Sequence, residues 1–235
     1  MRGDFSLSGR ASIAQATWFM RSCLMQKISN SKIRAFCKIP LQLNNKINDK
    51  IQTNARMTGM ALETTTLGGG RFWDLEAVFQ QLRGVKTVQC GYAGGHAESP
   101  NYEAVCGGDT GHAEVVRVQF DNEILSFEEI LEVFFKIHDP YSPANVGGQL
   151  ASPLRSVIYV HTYEQRTIAH EAVKRFGRFA HAMVMTEIAI CPEFFPAEPE
   201  HQNFYRNHKD DTYCTEFILP KIMRSREIFK KKLAA

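Results

Sequence analysis

Three glycines, Gly68, Gly69 and Gly70, run into Arg71, Phe72 and Trp73. The segment that follows, FWDLEAVFQQL, sets Phe72, Leu75, Val78, Phe79 and Leu82 at helical spacing. A glycine turn that opens onto a helix is a place to present a reactive group, because free N–H groups and the positive end of the helix dipole favour an anion there. A thiol so placed ionises readily and becomes a nucleophile. The residue in that position is Arg71, whose guanidinium stays protonated and has no lone pair to offer. A second reading of GGGR is a phosphate cradle with its N–H groups and Arg71 pointing outward, but the Gly-Lys-Ser/Thr of such loops is missing. The six cysteines, Cys23, Cys37, Cys90, Cys106, Cys191 and Cys214, include no CxxC pair, so neither a zinc site nor a disulfide-stapled secreted fold is indicated. His112 and His138 have no second ligand four residues on, and no metal site is expected.

The elements that must hold these residues alternate. A Thr-rich strand, ALETTTL at 61–67, leads into the glycine turn; the helix after it closes at Gly84. VKTVQCGYAGG (85–95) reads as a strand ending in a flexible loop, and HAEVVRVQFD (112–121) as an alternating strand. SFEEILEVFFKIHDP is an amphipathic helix with a capping box from Ser126 and Glu129, stopped by Pro140. A long loop, 139–154, precedes the strand RSVIYV, the helix EQRTIAHEAVKRFGRF and the strand TEIAI. An acidic, aromatic loop and a basic helix, PKIMRSREIFKKKL, complete the chain, with KKK as its solvated end. Helices on one face of a mixed sheet give an α+β two-layer sandwich with a ferredoxin-like core, one domain spanning 61–235.

Charge is unevenly placed. Residues 1–42 hold seven Lys/Arg and one acid, a net of +6 against +3 for the whole chain, so the remainder is slightly acidic and nothing argues for nucleic acid. The segment 1–42 is rich in Arg and Ser and only patchily apolar, with no run near the roughly 18 residues of a membrane span. It reads as an organelle transit peptide or as a disordered extension, joined by an Asn-rich linker at 43–60. A transit peptide places the protein in a mitochondrion or plastid; otherwise the cytoplasm is expected. Met57 or Met60 offers the start of a shorter form.

Several stretches are too specific for generic packing: GYAGG at 91–95, PNYEAVCGGDTGHAEVVRVQFD at 100–121, FFKIHDP at 134–140, PEFFPAEPEHQNFYRNH at 192–208 and TYC at 212–214. Together, and in this order over 63–229, they resemble the peptide methionine sulfoxide reductase A family. The resemblance implies thiol-dependent reduction of methionine-S-sulfoxide, in oxidised proteins or as the free amino acid. The reductant is thioredoxin or another dithiol, with no bound cofactor. It also implies residue roles. Phe72 and Trp73 match the aromatic pair that holds the substrate methyl group, Glu114 the acid that protonates the sulfoxide oxygen, and Tyr102 a tyrosine that hydrogen-bonds it. Cys214 matches a C-terminal thiol that resolves the sulfenic acid as a disulfide.

Three positions depart from the family pattern. Arg71 stands where the family reads Gly-Cys-Phe-Trp and uses the cysteine as nucleophile. In GGQLASPLR, Gln149 stands where a substrate-binding aspartate is expected and Leu154 where a second tyrosine is expected, while Arg155 keeps the frame. The expectation is a reductase by descent that is inactive or severely impaired. The alternative is a non-catalytic binder of methionine sulfoxide or of an acidic partner. Cys90 is considered as a substitute nucleophile, Cys106 as a buried thiol beside a strand, and Glu76 as a conceivable partner for Arg71.

Overall fold

The computed structural model describes residues 61–141 and 152–234. The leader 1–42, the linker 43–60 and Gln149 lie outside the described residues. Six strands form one sheet: β1 (Leu62–Gly68), β2 (Val85–Ala93), β3 (Ala113–Asp121), β4 (Val157–Val160), β5 (Glu187–Ile190) and β6 (Phe194–Pro196). Their spatial order is β5-β4-β1-β3-β2-β6. Only the β4–β5 pairing is parallel; β1–β3, β1–β4, β2–β3 and β2–β6 are antiparallel. Helix α1 (Phe72–Phe79) joins β1 to β2, α2 (Tyr102–Gly107) lies between β2 and β3, and α3 (Phe127–Ile137) joins β3 to β4. The inner order β4-β1-β3-β2 with these two crossovers is the ferredoxin-like arrangement. Helix α4 (Tyr163–Ala180) carries the chain to the parallel edge strand β5, and α5 (Phe204–Asn207) and α6 (Leu219–Ile228) follow β6.

Strand alternation divides the sheet into two faces. Tyr92, Val116, Val118, Phe120, Ile158 and Val160 pack into one core with Phe72, Leu75, Phe79, Ile130, Leu131 and Phe134 of the helices. The opposite face carries a smaller cluster of Ala93, Ala113, Val115, Val157 and Tyr159. Helix α3 has the expected capping box: Glu129 N donates to Ser126 Oγ at 3.3 Å, and Ser126 N donates to Glu129 Oε2 at 2.9 Å.

The structure departs from the sequence reading in four places. Helix α1 ends at Phe79, and residues 80–82 form a turn. GYAGG is not a free loop at its start, since Gly91–Ala93 pair with both β3 and β6. Segment 194–196, read as loop, forms β6, and 102–107, to which the sequence reading gives no element, forms α2. The last helix stops at Ile228, and KKK is not simply solvated: Lys232 Nζ lies 2.8 Å from Glu132 and 3.3 Å from Glu129.

Candidate active site

The site is built where β1 hands over to α1. Gly69 lies so close to His138 that a Cβ there would approach the imidazole to 2.8 Å. Gly70 takes φ +87°, the left-handed region that suits glycine, and its N–H donates to Leu154 O at 3.0 Å. The turn therefore aims Arg71 at the helix start, where its carbonyl accepts from Asp74 N at 3.1 Å as the N-cap. The phosphate-cradle geometry is not what forms, because the side chain of Arg71 turns inward. Its Nη1 donates to Tyr102 Oη at 2.7 Å, to Glu114 Oε1 at 3.2 Å and, more weakly, to Cys106 Sγ at 3.5 Å.

Glu114 lies at the start of β3, on the helix face of the sheet, opposite Tyr92 of β2. Its carboxylate is wholly buried and spans the start of α1: Oε2 accepts from Phe72 N at 3.2 Å while Oε1 faces Arg71. An anion is thus supplied where a cation at a positive helix end would otherwise be unfavourable. Burial pushes the carboxyl up to about 7, against the opposing pull of the Phe72 N–H and of Arg71. At neutral pH such a group holds a proton part of the time and can give it to a developing oxyanion.

Aromatic rings close the remaining sides. Phe72 is fully buried between Tyr92 and Tyr102, with ring centroids 5.8 and 6.1 Å away. Trp73 stacks on Phe204 at 4.2 Å, meets Tyr213 edge-on at 5.7 Å, and lies 5.6 Å from His201, which itself sits 4.2 Å from Tyr102. Three carboxylates brace this wall. Glu198 accepts from Tyr102 N at 2.9 Å and from Tyr92 Oη at 2.7 Å. Glu76 accepts from Asn203 N at 2.7 Å and Phe204 N at 3.2 Å, so it anchors the start of α5 and is not the partner of Arg71. Asp74, in the first turn of α1, accepts from Tyr213 Oη at 2.9 Å and pairs with Lys221.

The structure thus brings together Arg71, Phe72, Trp73, Tyr102 and Glu114. Leu154 touches the glycine turn through its backbone, and its side chain is exposed. Cys214 is fully buried at the start of a π-helical turn, and burial raises its thiol above the ordinary range. Cys90, considered as a substitute nucleophile, is fully buried, and burial and the nearby Glu76 push its thiol well up, which excludes it. Cys106 is the opposite of its sequence reading: it is exposed, on helix α2, at the edge of the cluster. Helix α2 is too short for periodicity to reveal, but its caps were visible as Asn101, whose side chain accepts from Ala104 N, and as Gly108 at φ +87°. Nothing in the sequence pattern marked Glu198 or His201 as part of the wall. His112 and His138 are held by local bonds, the first from Gly95 N at 3.1 Å, the second to Phe134 O and Ser156 Oγ.

The family model described as "Peptide methionine sulfoxide reductase" matches residues 63–233. A protein from Polynucleobacter asymbioticus named peptide methionine sulfoxide reductase MsrA is 45% identical over 175 residues, 74% of this chain and 92% of that one. A protein of the same name from Sulfolobus acidocaldarius is 43% identical over 171 residues, 73% of this chain and 97% of that one. Among solved structures, Mxr1 from Saccharomyces cerevisiae in reduced form superposes with a TM-score of 0.58 at 26% identity, covering 65% of this chain and 89% of that one. Methionine sulfoxide reductase A of Corynebacterium diphtheriae gives 0.56 at 28% identity, covering 63% and 76%. With the match running from β1 through the last turn, and with the helix-start acid and the aromatic wall in place, the chain belongs to the peptide methionine sulfoxide reductase A family.

Proposed function

We propose that this chain keeps the sulfoxide-recognition pocket of its family and is severely impaired in thiol-dependent reduction, because Arg71 holds the position from which the family's cysteine attacks. In the family reaction a thiolate at the helix start bonds to the sulfoxide sulfur, the oxygen takes a proton, and a sulfenic acid and a thioether result. A dithiol of the thioredoxin kind then restores the thiol. Glu114, buried and titrating at about 7, is suited to give that proton. Tyr102 Oη, 2.7 Å from the guanidinium and directed to the same point, is suited to hold the oxygen. Substrates would be methionine-S-sulfoxide in oxidised proteins or as the free amino acid.

The observation that carries the reading is the inward Arg71, bonded to Glu114 and Tyr102 at the start of α1. The test is dithiothreitol-dependent reduction of a peptide containing methionine-S-sulfoxide by the full chain and by Arg71→Cys. The variant should turn over at least about 100-fold faster, the order expected when a reacting atom is brought from a displaced to an aligned position. Equal rates for the two proteins would refute the proposal.

A further inference from the structure

We propose that Cys106 is a substitute nucleophile of this pocket and carries what sulfoxide reduction the chain performs. This inference rests on the pocket reading above. Of the four cysteines among the described residues, only Cys106 is exposed. Cys90 and Cys214 are fully buried, and Cys191, directed to Thr66 Oγ1 at 3.7 Å, lies with the cluster on the other face of the sheet. Cys106 is no lone thiol. Its sulfur accepts from Arg71 Nη1 at 3.5 Å and lies 4.0 Å from Glu114 Oε1, the buried acid that the reaction needs. It also follows Tyr102 by one turn of α2, so both side chains share the face turned to the site. The sulfur, the proton donor and the hydroxyl that would hold the sulfoxide oxygen thus meet around one guanidinium.

Arg71 gains a role in this arrangement. Among the described residues all its side-chain hydrogen bonds leave from Nη1, while a guanidinium carries five N–H donors in a fixed fork. The other N–H groups meet no acceptor among the described residues, and one of them would donate to the sulfoxide oxygen, a strong acceptor. Its guanidinium also lies 3.5 Å from Sγ, so sulfur and oxygen-binding N–H groups are held by one side chain.

The step balances as follows. The Cys106 thiolate bonds to the sulfoxide sulfur, and Glu114 gives a proton to the sulfoxide oxygen. The hydroxyl then passes from the substrate sulfur to Cys106 Sγ, the S–O bond and the newly formed Sγ–S bond both breaking, which leaves a thioether reduced by two electrons and a sulfenic acid on Cys106 oxidised by two. A dithiol then condenses with the sulfenic acid, releasing water, and its second thiol frees Cys106 with formation of the reductant's disulfide. Cys214 is buried and takes no part.

The test uses the full chain and a peptide containing methionine-S-sulfoxide, without reductant, with a dimedone quench and mass-spectrometric mapping. Up to one thioether per chain should form, with the dimedone adduct on Cys106. With dithiothreitol, slow turnover should appear, be lost in Cys106→Ser, and persist in Cys191→Ser. The double variant Arg71→Cys, Cys106→Ser separates the two readings. If it turns over while the unaltered chain yields neither thioether nor adduct, the pocket is real and the role of Cys106 is refuted. Thioether formation that survives Cys106→Ser also refutes it. If the double variant is silent and folded by circular dichroism, the pocket reading fails and this inference with it.

Discussion

Replacing Glu114 by Gln should abolish a pH dependence of stability that the structure makes large. The carboxyl titrates at about 7 in the folded chain and at its ordinary 4.5 when exposed by unfolding. At about 1.4 kcal/mol per pH unit, that gap corresponds to about 3 kcal/mol, undiluted by solvent because the side chain is wholly buried. The sign follows from proton uptake. Between 4.5 and 7 the folded state holds the Glu114 proton and the unfolded state does not. The contribution is therefore complete below 4.5 and is lost as pH rises through 7. Urea unfolding at pH 4.5 and pH 8, for the wild type and Glu114→Gln, isolates this contribution, because every other titrating group is common to both. The free-energy difference between the two proteins should change by about 3 kcal/mol between the two pH values, a midpoint change of about 1.5 M for a slope near 2 kcal/mol/M. A difference independent of pH would show that Glu114 is not held near neutrality, and the assignment of the acid would fall with it. Removing the cation with Arg71→Ala should steepen the dependence, since Arg71 draws the carboxyl down.

Two further outcomes follow from groups outside the immediate cluster. Glu76→Ala leaves the N–H groups of Asn203 and Phe204 without their acceptor and should cost about 2 to 5 kcal/mol, whereas Glu76→Gln keeps one acceptor oxygen and should cost less. Tryptophan fluorescence should report the loosening of Trp73 from Phe204 in the alanine variant, and unchanged emission would argue against the anchoring role. His161 is held down to about 4 by burial and by Arg117, so its contribution is present above 6.5 and lost as pH falls towards 4. His161→Gln should flatten acid unfolding in that window, by no more than about 3 kcal/mol, and an unchanged acid limb would refute the placement of the ring.

Much of the frame could be read from spacing alone, because its determinants are local. The 3.6-residue pattern of α1 and α3, the Ser126–Glu129 cap and the alternation of β3 each lie within a dozen residues, and together they give the ferredoxin-like core. What escaped is what depends on pairing between distant segments. Strand β6 is three residues long and exists through its bonds to β2 across about a hundred residues of sequence, so neither its period nor its composition could reveal it. Glu76 looked like a first-turn acid beside Arg71, and its true partners are the N–H groups of residues 203 and 204.

The exposure of Cys106 is the most instructive of these, because it turns on a helix of six residues. A sequence reading that treats VC as the approach to β3 buries the thiol. The capped turn from Asn101 to Gly108 instead rotates Val105 into the core and Cys106 out. One residue of rotation therefore separates an inert thiol from one that shares a guanidinium with the buried acid. The same geometry explains how a cation is tolerated at the head of α1. A positive side chain there would repel the helix dipole, but Glu114 lies across the helix start, bonded to Phe72 N and to Arg71 together. Glu114 is held across the helix start by its place in β3 and by the Phe72 N–H as well as by Arg71. An arginine in that place is consequently compatible with the fold, and the sulfur of Cys106 lies within reach of both its guanidinium and the buried carboxylate, at 3.5 and 4.0 Å.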